Sequence, residues 1–276
     1  MTLIYLGAQM PKIPSKATKR IHSVLKKFQN VITQAQARDI NESDTVTIIV
    51  DSLHHIFGFD KFSEITSEYA IRNSFCDLVV KVDEKILFLL EAKSINTELK
   101  EKHIKQAVDY GANQGIEWVV LTNSIVWKVF KIGFTKPLTF QEITNFNLLE
   151  VNLKNDDSID SVGILSRESF ATSQLEKLHS RNRTLNRYTI GAILMSDDLI
   201  SKIKKSLRQI EPDTRFHEED IKRIIASEVI RREILEDDEG KSAERMIKRS
   251  QRRAQKDDSD NQIENPSMDV SDSDGI

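Results

Sequence analysis

Asp77, Glu91 and Lys93 are charged side chains set in a stretch that otherwise asks to be buried. Residues 75–93 read FCDLVVKVDEKILFLLEAK, two apolar runs around a charged break at Asp83, Glu84 and Lys85. That is the pattern of a β-hairpin with a buried face. Burying two carboxylates and an ammonium is costly unless they are paired or bind an ion. Grouped at a strand end, they suit hydrolysis of a phosphodiester. Carboxylate oxygens hold Mg²⁺, which lowers the pKa of a bound water, and a lysine positions that water or offsets charge on the phosphorane.

The hairpin must bring the three together. With a three-residue loop, Asp83 to Lys85, Val82 faces Ile86 and counting back sets Asp77 opposite Glu91, with Lys93 on the same face. A two-residue loop would put the carboxylates on opposite faces unless a bulge corrected the count. A bare ExK tripeptide is also what an exposed edge or a cross-strand ion pair looks like, so the register decides between the two readings.

The surrounding elements follow from spacing. Residues 15–38 repeat Ile21, Leu25, Phe28 and Ile32 at helical intervals, with Lys12, Lys16, Lys19, Arg20, Lys26 and Lys27 around the start. Those cations form either a solvated face or a phosphate-contacting one. Asn41 or Ser43 caps a second helix that runs to Phe57 and ends at Gly58, and Glu42 falls at its start, where a carboxylate suits the helix dipole. Residues 64–71 alternate weakly as a strand before the hairpin. A helix over residues 97–113 lays Ile104, Ala107, Val108 and Gly111 on the sheet. Gln106 and Tyr110 share a different side, about 130° away at 100° per residue, with His103 close by. Strands over 118–122 and 126–132 follow, and a short one between 138 and 149. The order implies an α/β fold, a mixed sheet flanked by helices, followed by a helical C-terminal region.

Four segments result: a domain over 1–154, a linker over 155–165 marked by Asn155, Asp156, Asp157 and Ser158, a helical domain over 166–238, and a charged, disordered tail over 239–276. Arg181, Arg183, Arg187 and Tyr188 form a polar loop or a base-stacking cluster. The net charge of the 276 residues is -3, so no global basic excess advertises nucleic acid, but charge is unevenly placed. The last twenty residues hold seven acids and no base. One cysteine, Cys76, excludes an internal disulfide and reads as a small buried hydrophobe. Neither a signal peptide nor a membrane span is visible, which implies a soluble, cytoplasmic protein. A complete phosphate-binding loop, zinc pairs and a dinucleotide fingerprint are likewise absent from the sequence.

Asp77, then Glu91-Ala92-Lys93, then Gln106 and Tyr110 in a following helix, resemble the PD-(D/E)xK nuclease superfamily, in particular the N-terminal nuclease domain of type I restriction enzyme R subunits. The stretch NESDTVTIIVDSLHHIFGFD is similar to that family's leading helix. The resemblance covers roughly residues 38–135, and Cys76 stands where the superfamily name has proline. It implies a Mg²⁺-dependent DNA endonuclease, with Mn²⁺ as a substitute, but no ATPase motor. Asp77 and Glu91 would be metal ligands, the Ala92 carbonyl a third, Lys93 the catalytic lysine, and Gln106 and Tyr110 accessory groups. A further acidic ligand would be Glu42, with Glu68 the runner-up. The competing reading is a non-catalytic nucleic-acid-binding or protein-interaction module on the same fold. The helical C-terminal region would pair two chains as a homodimer.

Overall fold

Six strands and three principal helices build the first of two units. The computed structural model describes residues 10–71 and 74–263, leaving aside the side chains of 68–75 and 253–263. The units are Met1–Arg181 and Asn182–Ile276, and each is taken by itself. The first opens with α1 (Ser15–Ala37) and α2 (Glu42–His55), followed by β1 (Ile65–Ile71), β2 (Ser74–Val82) and β3 (Lys85–Ala92). Next come α3 (Glu101–Gln114), β4 (Trp118–Thr122), β5 (Val126–Gly133) and β6 (Thr139–Asn147). Three short helices close it: α4 (Asp156–Gly163), α5 (Arg167–Ala171) and α6 (Gln174–Thr184), the last crossing the boundary.

The strands lie in the order β1-β2-β3-β4-β5-β6. Every neighbouring pair is antiparallel except β3 and β4, which run parallel. A parallel pair needs a crossover, and α3 supplies it. The fold is thus α/β, a mixed sheet flanked by helices with a helical C-terminal region. One sheet face, carrying Leu78, Val80, Phe88, Leu90, Val120 and Trp127, packs in a single core with Ile21, Leu25 and Ile32 of α1 and Ile49 and Leu53 of α2. On the other face, Ala107 and Val108 of α3 pack with Val119 and Ile132, while Tyr110 covers Cys76, Val79 and Leu89. Gly111 permits this close approach, since a Cβ there would lie 2.5 Å from Val119 Cγ2 and 2.6 Å from Ile132 Cδ1.

The hairpin differs from its expected form in two compensating ways. Its loop is two residues, not three: Val82 pairs with Lys85, and both Asp83 and Glu84 adopt positive φ, 49° and 61°. That is the primed turn whose twist matches the strands. Alone it would place Asp77 and Glu91 on opposite faces. The register then shifts between Val80 and Lys81, from Lys81↔Ile86 to Val80↔Phe88, so Leu87 is the extra residue of a bulge. Beyond it Leu78 pairs with Leu90, the last registered pair, and the Asp77 carboxylate reaches the Ala92 amide beside Glu91.

Two segment boundaries also differ from expectation. Residues 155–165 are not a linker: Asn155 caps α4 by accepting from the amides of Asp157 and Ser158, and Ile159 and Val162 are buried with α1. The polar residues that suggest a linker are the cap and first turn of a packed helix. Part of the basic start of α1 is paired by the same helices. Lys12 pairs with Asp156 and Asp160, and Lys16 and Arg20 pair with Glu168 of α5. Arg20 is mostly buried in its pair, whereas Lys12 and Lys16 stay largely exposed in theirs.

The second unit holds α7 (Arg187–Leu194), α8 (Asp197–Ile210) and α9 (Glu218–Ile224), a π-helical turn over Ile225–Val229, α10 (Arg232–Glu236) and α11 (Asp238–Ile263). Ile200, Ile221, Ile225 and Ile230 form its core. α11 replaces the disordered tail expected from residue 239 as far as Ile263; residues 264–276 lie outside the described residues. Among the described residues, no helix is long and apolar enough to cross a membrane.

Candidate active site

The candidate residues gather at the end of β3, where its pairing with β2 stops. β2 and β3 pair up to Leu78↔Leu90 and then part. The Cys76 thiol donates to the carbonyls of Leu78 and Leu90, each at 3.3 Å. The Asp77 carboxylate takes over from the ladder: its Oδ2 accepts the Ala92 amide at 2.7 Å. On the other side, the Lys93 amide donates to the Thr122 carbonyl at 2.9 Å, extending the parallel pairing with β4. Glu91, Ala92 and Lys93 are therefore held by two strands and one carboxylate.

Glu91 is 3% exposed. Its Oε1 accepts from Lys93 Nζ at 2.6 Å, while Oε2 is buried with no hydrogen-bond partner. Lys93 Nζ also lies 3.9 Å from Glu42 Oε2, so the first residue of α2 reaches the same ammonium. Asn41 fixes that helix start by accepting the Asp44 amide at 2.9 Å. Ala92 is packed in the core, its amide committed to Asp77.

Burial pushes the Glu91 carboxyl up to about 7; the Lys93 hydrogen bond opposes this and the charge of Asp77 adds to it. Asp77 is also raised, by burial, against the pull of the Ala92 amide and Lys93. For Lys93, burial acts downward, but the hydrogen bond to Glu91 and the charges of Glu91, Glu42 and Asp77 outweigh it, and the net shift is upward. The ammonium stays charged, and the carboxyl beside it binds a proton more readily than a free glutamate does. His103 of α3 feels Lys93 as well: burial first, then Lys102 and Lys93, lower its pKa, and its Nδ1 accepts the Lys100 amide.

The sign of the Glu91 shift sets a pH dependence. A carboxyl with a folded pKa above its ordinary 4.5 binds its proton more tightly folded than unfolded. Its contribution to stability is fully present below 4.5 and is lost as pH rises through about 7. In EDTA, the unfolding free energy of the protein from urea titration is expected to fall across this window relative to Glu91→Gln, by on the order of 2–3 kcal/mol. Parallel pH profiles for the two proteins would exclude the shift.

Gln106 and Tyr110 are joined to each other, Gln106 Nε2 donating to the Tyr110 hydroxyl at 3.2 Å. Tyr110 packs on Val79 and Leu89, on the α3 side of the sheet, while Gln106 is exposed. Among the described residues, no hydrogen bond links either to Asp77, Glu91 or Lys93. Asp77, Glu91, Ala92, Lys93 and Glu42 are thus brought together, and Gln106 and Tyr110 form a separate pair on the covering helix. The Glu68 side chain lies outside the described residues. Sequence reasoning overlooked Thr122, whose carbonyl holds the Lys93 amide; only strand pairing could reveal it.

No group of three or more His, Cys, Asp or Glu among the described residues forms a ready metal cage. A cage of that kind is not what Mg²⁺ needs, since it keeps waters and takes one or two carboxylates with phosphate oxygens. The donors here are hard oxygens, and the buried, unpartnered Glu91 Oε2 is the atom a cation would satisfy. The residues fit such an ion.

The family model described as type I restriction enzyme R protein N terminus matches residues 47–146. The matched stretch, about a third of the chain, contains Asp77, Glu91, Ala92, Lys93, Gln106 and Tyr110, whereas Glu42 precedes it. No curated protein and no solved structure gives a significant match. The family match supports a nuclease-like domain related to that N terminus.

Proposed function

We propose that the first unit is a Mg²⁺-dependent DNA endonuclease. The observation that carries this reading is the buried Glu91, one oxygen on the Lys93 ammonium at 2.6 Å and the other without a partner, next to the Ala92 amide that holds Asp77. Asp77 and Glu91 would hold the metal, with the Ala92 carbonyl as a third donor and Glu42 nearest for an acidic fourth. Bound there, Mg²⁺, or Mn²⁺ in its place, supplies a water of lowered pKa and neutralises charge on the phosphoryl oxygens.

The chain's own groups do the rest. The Ala92 amide holds Asp77 in one orientation, and Asp77 in turn ties the parted end of β2 to β3. Lys93, kept charged by its acidic neighbours, places a fixed positive charge where the pentavalent phosphorane becomes more negative. Gln106 and Tyr110 offer hydrogen-bonding groups on α3 for the DNA backbone.

The test is incubation of the full chain with single-stranded, duplex and branched DNA, in Mg²⁺, in Mn²⁺ and in EDTA, without ATP. Cleavage that requires the divalent cation and disappears in Glu91→Gln is expected. Undiminished cleavage by Glu91→Gln would refute the site, and binding without cleavage in both metals would assign a non-catalytic module instead.

A further inference from the structure

α11 carries its charge on one side. At 100° per residue, Lys241, Arg245, Lys248, Arg249 and Arg252 fall within an arc of about 100°, and Lys256 continues it in sequence. All five are exposed. On the opposite side Ala243 is buried and Met246 half-buried, and the helix packs against α7 and α10. From Lys241 to Arg252 the stripe runs roughly 16 Å at 1.5 Å per residue.

A helix face meant only for water sets acids three or four residues from its bases. Here Lys241 and Arg245, Arg245 and Arg249, and Lys248 and Arg252 are like-charged neighbours four apart, which repel one another. Lys248 has Glu244 at 2.6 Å and Lys241 has Asp238 at 3.7 Å, while Arg245 donates only to the Lys241 carbonyl. Arg249 and Arg252 have neither an ion pair nor a hydrogen bond among the described residues. The repulsion along α11 is relieved by a partner that presents regularly spaced negative charge over a comparable length.

We infer that this face of α11 binds the phosphate backbone of nucleic acid, independently of base sequence. The contacts are charge-assisted, from guanidinium and ammonium groups to phosphate oxygens, and so position the strand rather than read it. The choice of nucleic acid over another polyanion rests on the nuclease reading of the first unit.

The experiment is fluorescence anisotropy of the full chain with a labelled duplex, in EDTA so that no cleavage intervenes, at salt from about 50 to about 200 mM. The triple variant Arg245→Gln, Arg249→Gln, Arg252→Gln is expected to bind about 10- to 100-fold more weakly. Its log-log salt slope should be shallower by roughly two to three, at about 0.9 for each phosphate that the variant leaves without a cation. A control with Lys205→Gln, Arg208→Gln and Arg215→Gln removes the same charge from exposed positions off the stripe, and is expected to bind like the unaltered protein. Equal losses in both variants, unchanged binding by the stripe variant, or equally tight binding of polyglutamate would each overturn the inference. Duplex binding without cleavage by the unaltered chain in Mg²⁺ would count against the nuclease reading and leave the stripe standing.

Discussion

Replacing Lys93 with alanine is expected to lower the rate of metal-dependent DNA cleavage by about 10²- to 10³-fold, the usual range for removing one group that stabilises transition-state charge. Two effects add. The phosphorane loses its fixed cation, and Glu91 loses the hydrogen bond that opposes the upward shift of its pKa. Both Glu91 oxygens are then without a protein partner, which favours the protonated carboxyl and weakens its hold on any cation. Lys93→Arg should not restore the rate, because the guanidinium fork cannot occupy the place of a compact ammonium 2.6 Å from a carboxylate oxygen buried at 3% exposure. The check is a single-turnover cleavage rate, with far-UV circular dichroism to show that the fold persists. A Lys93→Ala rate within about threefold of the unaltered protein would remove Lys93 from the catalytic set.

The second large effect lies in the frame that carries the site. Arg20 of α1 donates from Nε to the Ile56 carbonyl at 3.0 Å and from Nη2 to the Phe57 carbonyl at 2.9 Å. It also grips both carboxylate oxygens of Glu168, each at 2.7 Å. One side chain thus closes the end of α2 and docks α5. Space for it depends on Gly58, whose φ is +84° and where a Cβ would lie 2.4 Å from Arg20 Cζ. Burial acts upward on the Glu168 carboxyl, but Arg20 outweighs it and the pKa is lowered. Arg20→Ala leaves Glu168 with only Lys16 at 3.7 Å and strips the Ile56 carbonyl of its donor.

The expected cost of Arg20→Ala is on the order of 3 kcal/mol, in the range for breaking a largely buried pair. Arg20→Lys should recover little, since an ammonium cannot serve two carbonyls and a bidentate carboxylate at once. Because the Glu168 pKa is depressed on folding, its contribution is present above 4.5 and is lost as pH falls below that value. The difference between Arg20→Ala and the unaltered protein should therefore narrow in acid. Urea unfolding at neutral and acidic pH measures both quantities. A loss below about 1 kcal/mol at neutral pH would show the clamp to be incidental.

What the sequence determined by itself is whatever depends on neighbours along the chain. Two apolar runs either side of Asp83 and Glu84 mark β2 and β3, and 3.6-residue spacing marks α1, α2 and α3. The intrusion of Asp77, Glu91 and Lys93 into the apolar runs identifies the candidate site, because an uncompensated charge among Val, Ile, Leu and Phe is improbable in any fold. Gly58 as terminus also follows from local chemistry, and of the two caps the sequence offers, Asn41 and Ser43, the structure uses Asn41.

Only the tertiary structure decided the rest. Asp83-Glu84 is not the Asn-Gly or Asp-Gly pair that announces a two-residue turn, so the loop length was hidden. The bulge that offsets the shorter loop adds Leu87, a residue indistinguishable in type from its neighbours. Lys12, Lys16 and Arg20 find their acids about 140–150 residues away on α4 and α5, which also turns an apparent linker into a packed helix. Gln106 and Tyr110 share a helix side by spacing, yet only packing sets Tyr110 on Val79 and Leu89. Periodicity fixes which side of an element a residue occupies; what it meets there depends on pairing between segments far apart in sequence, and no local pattern encodes that distance.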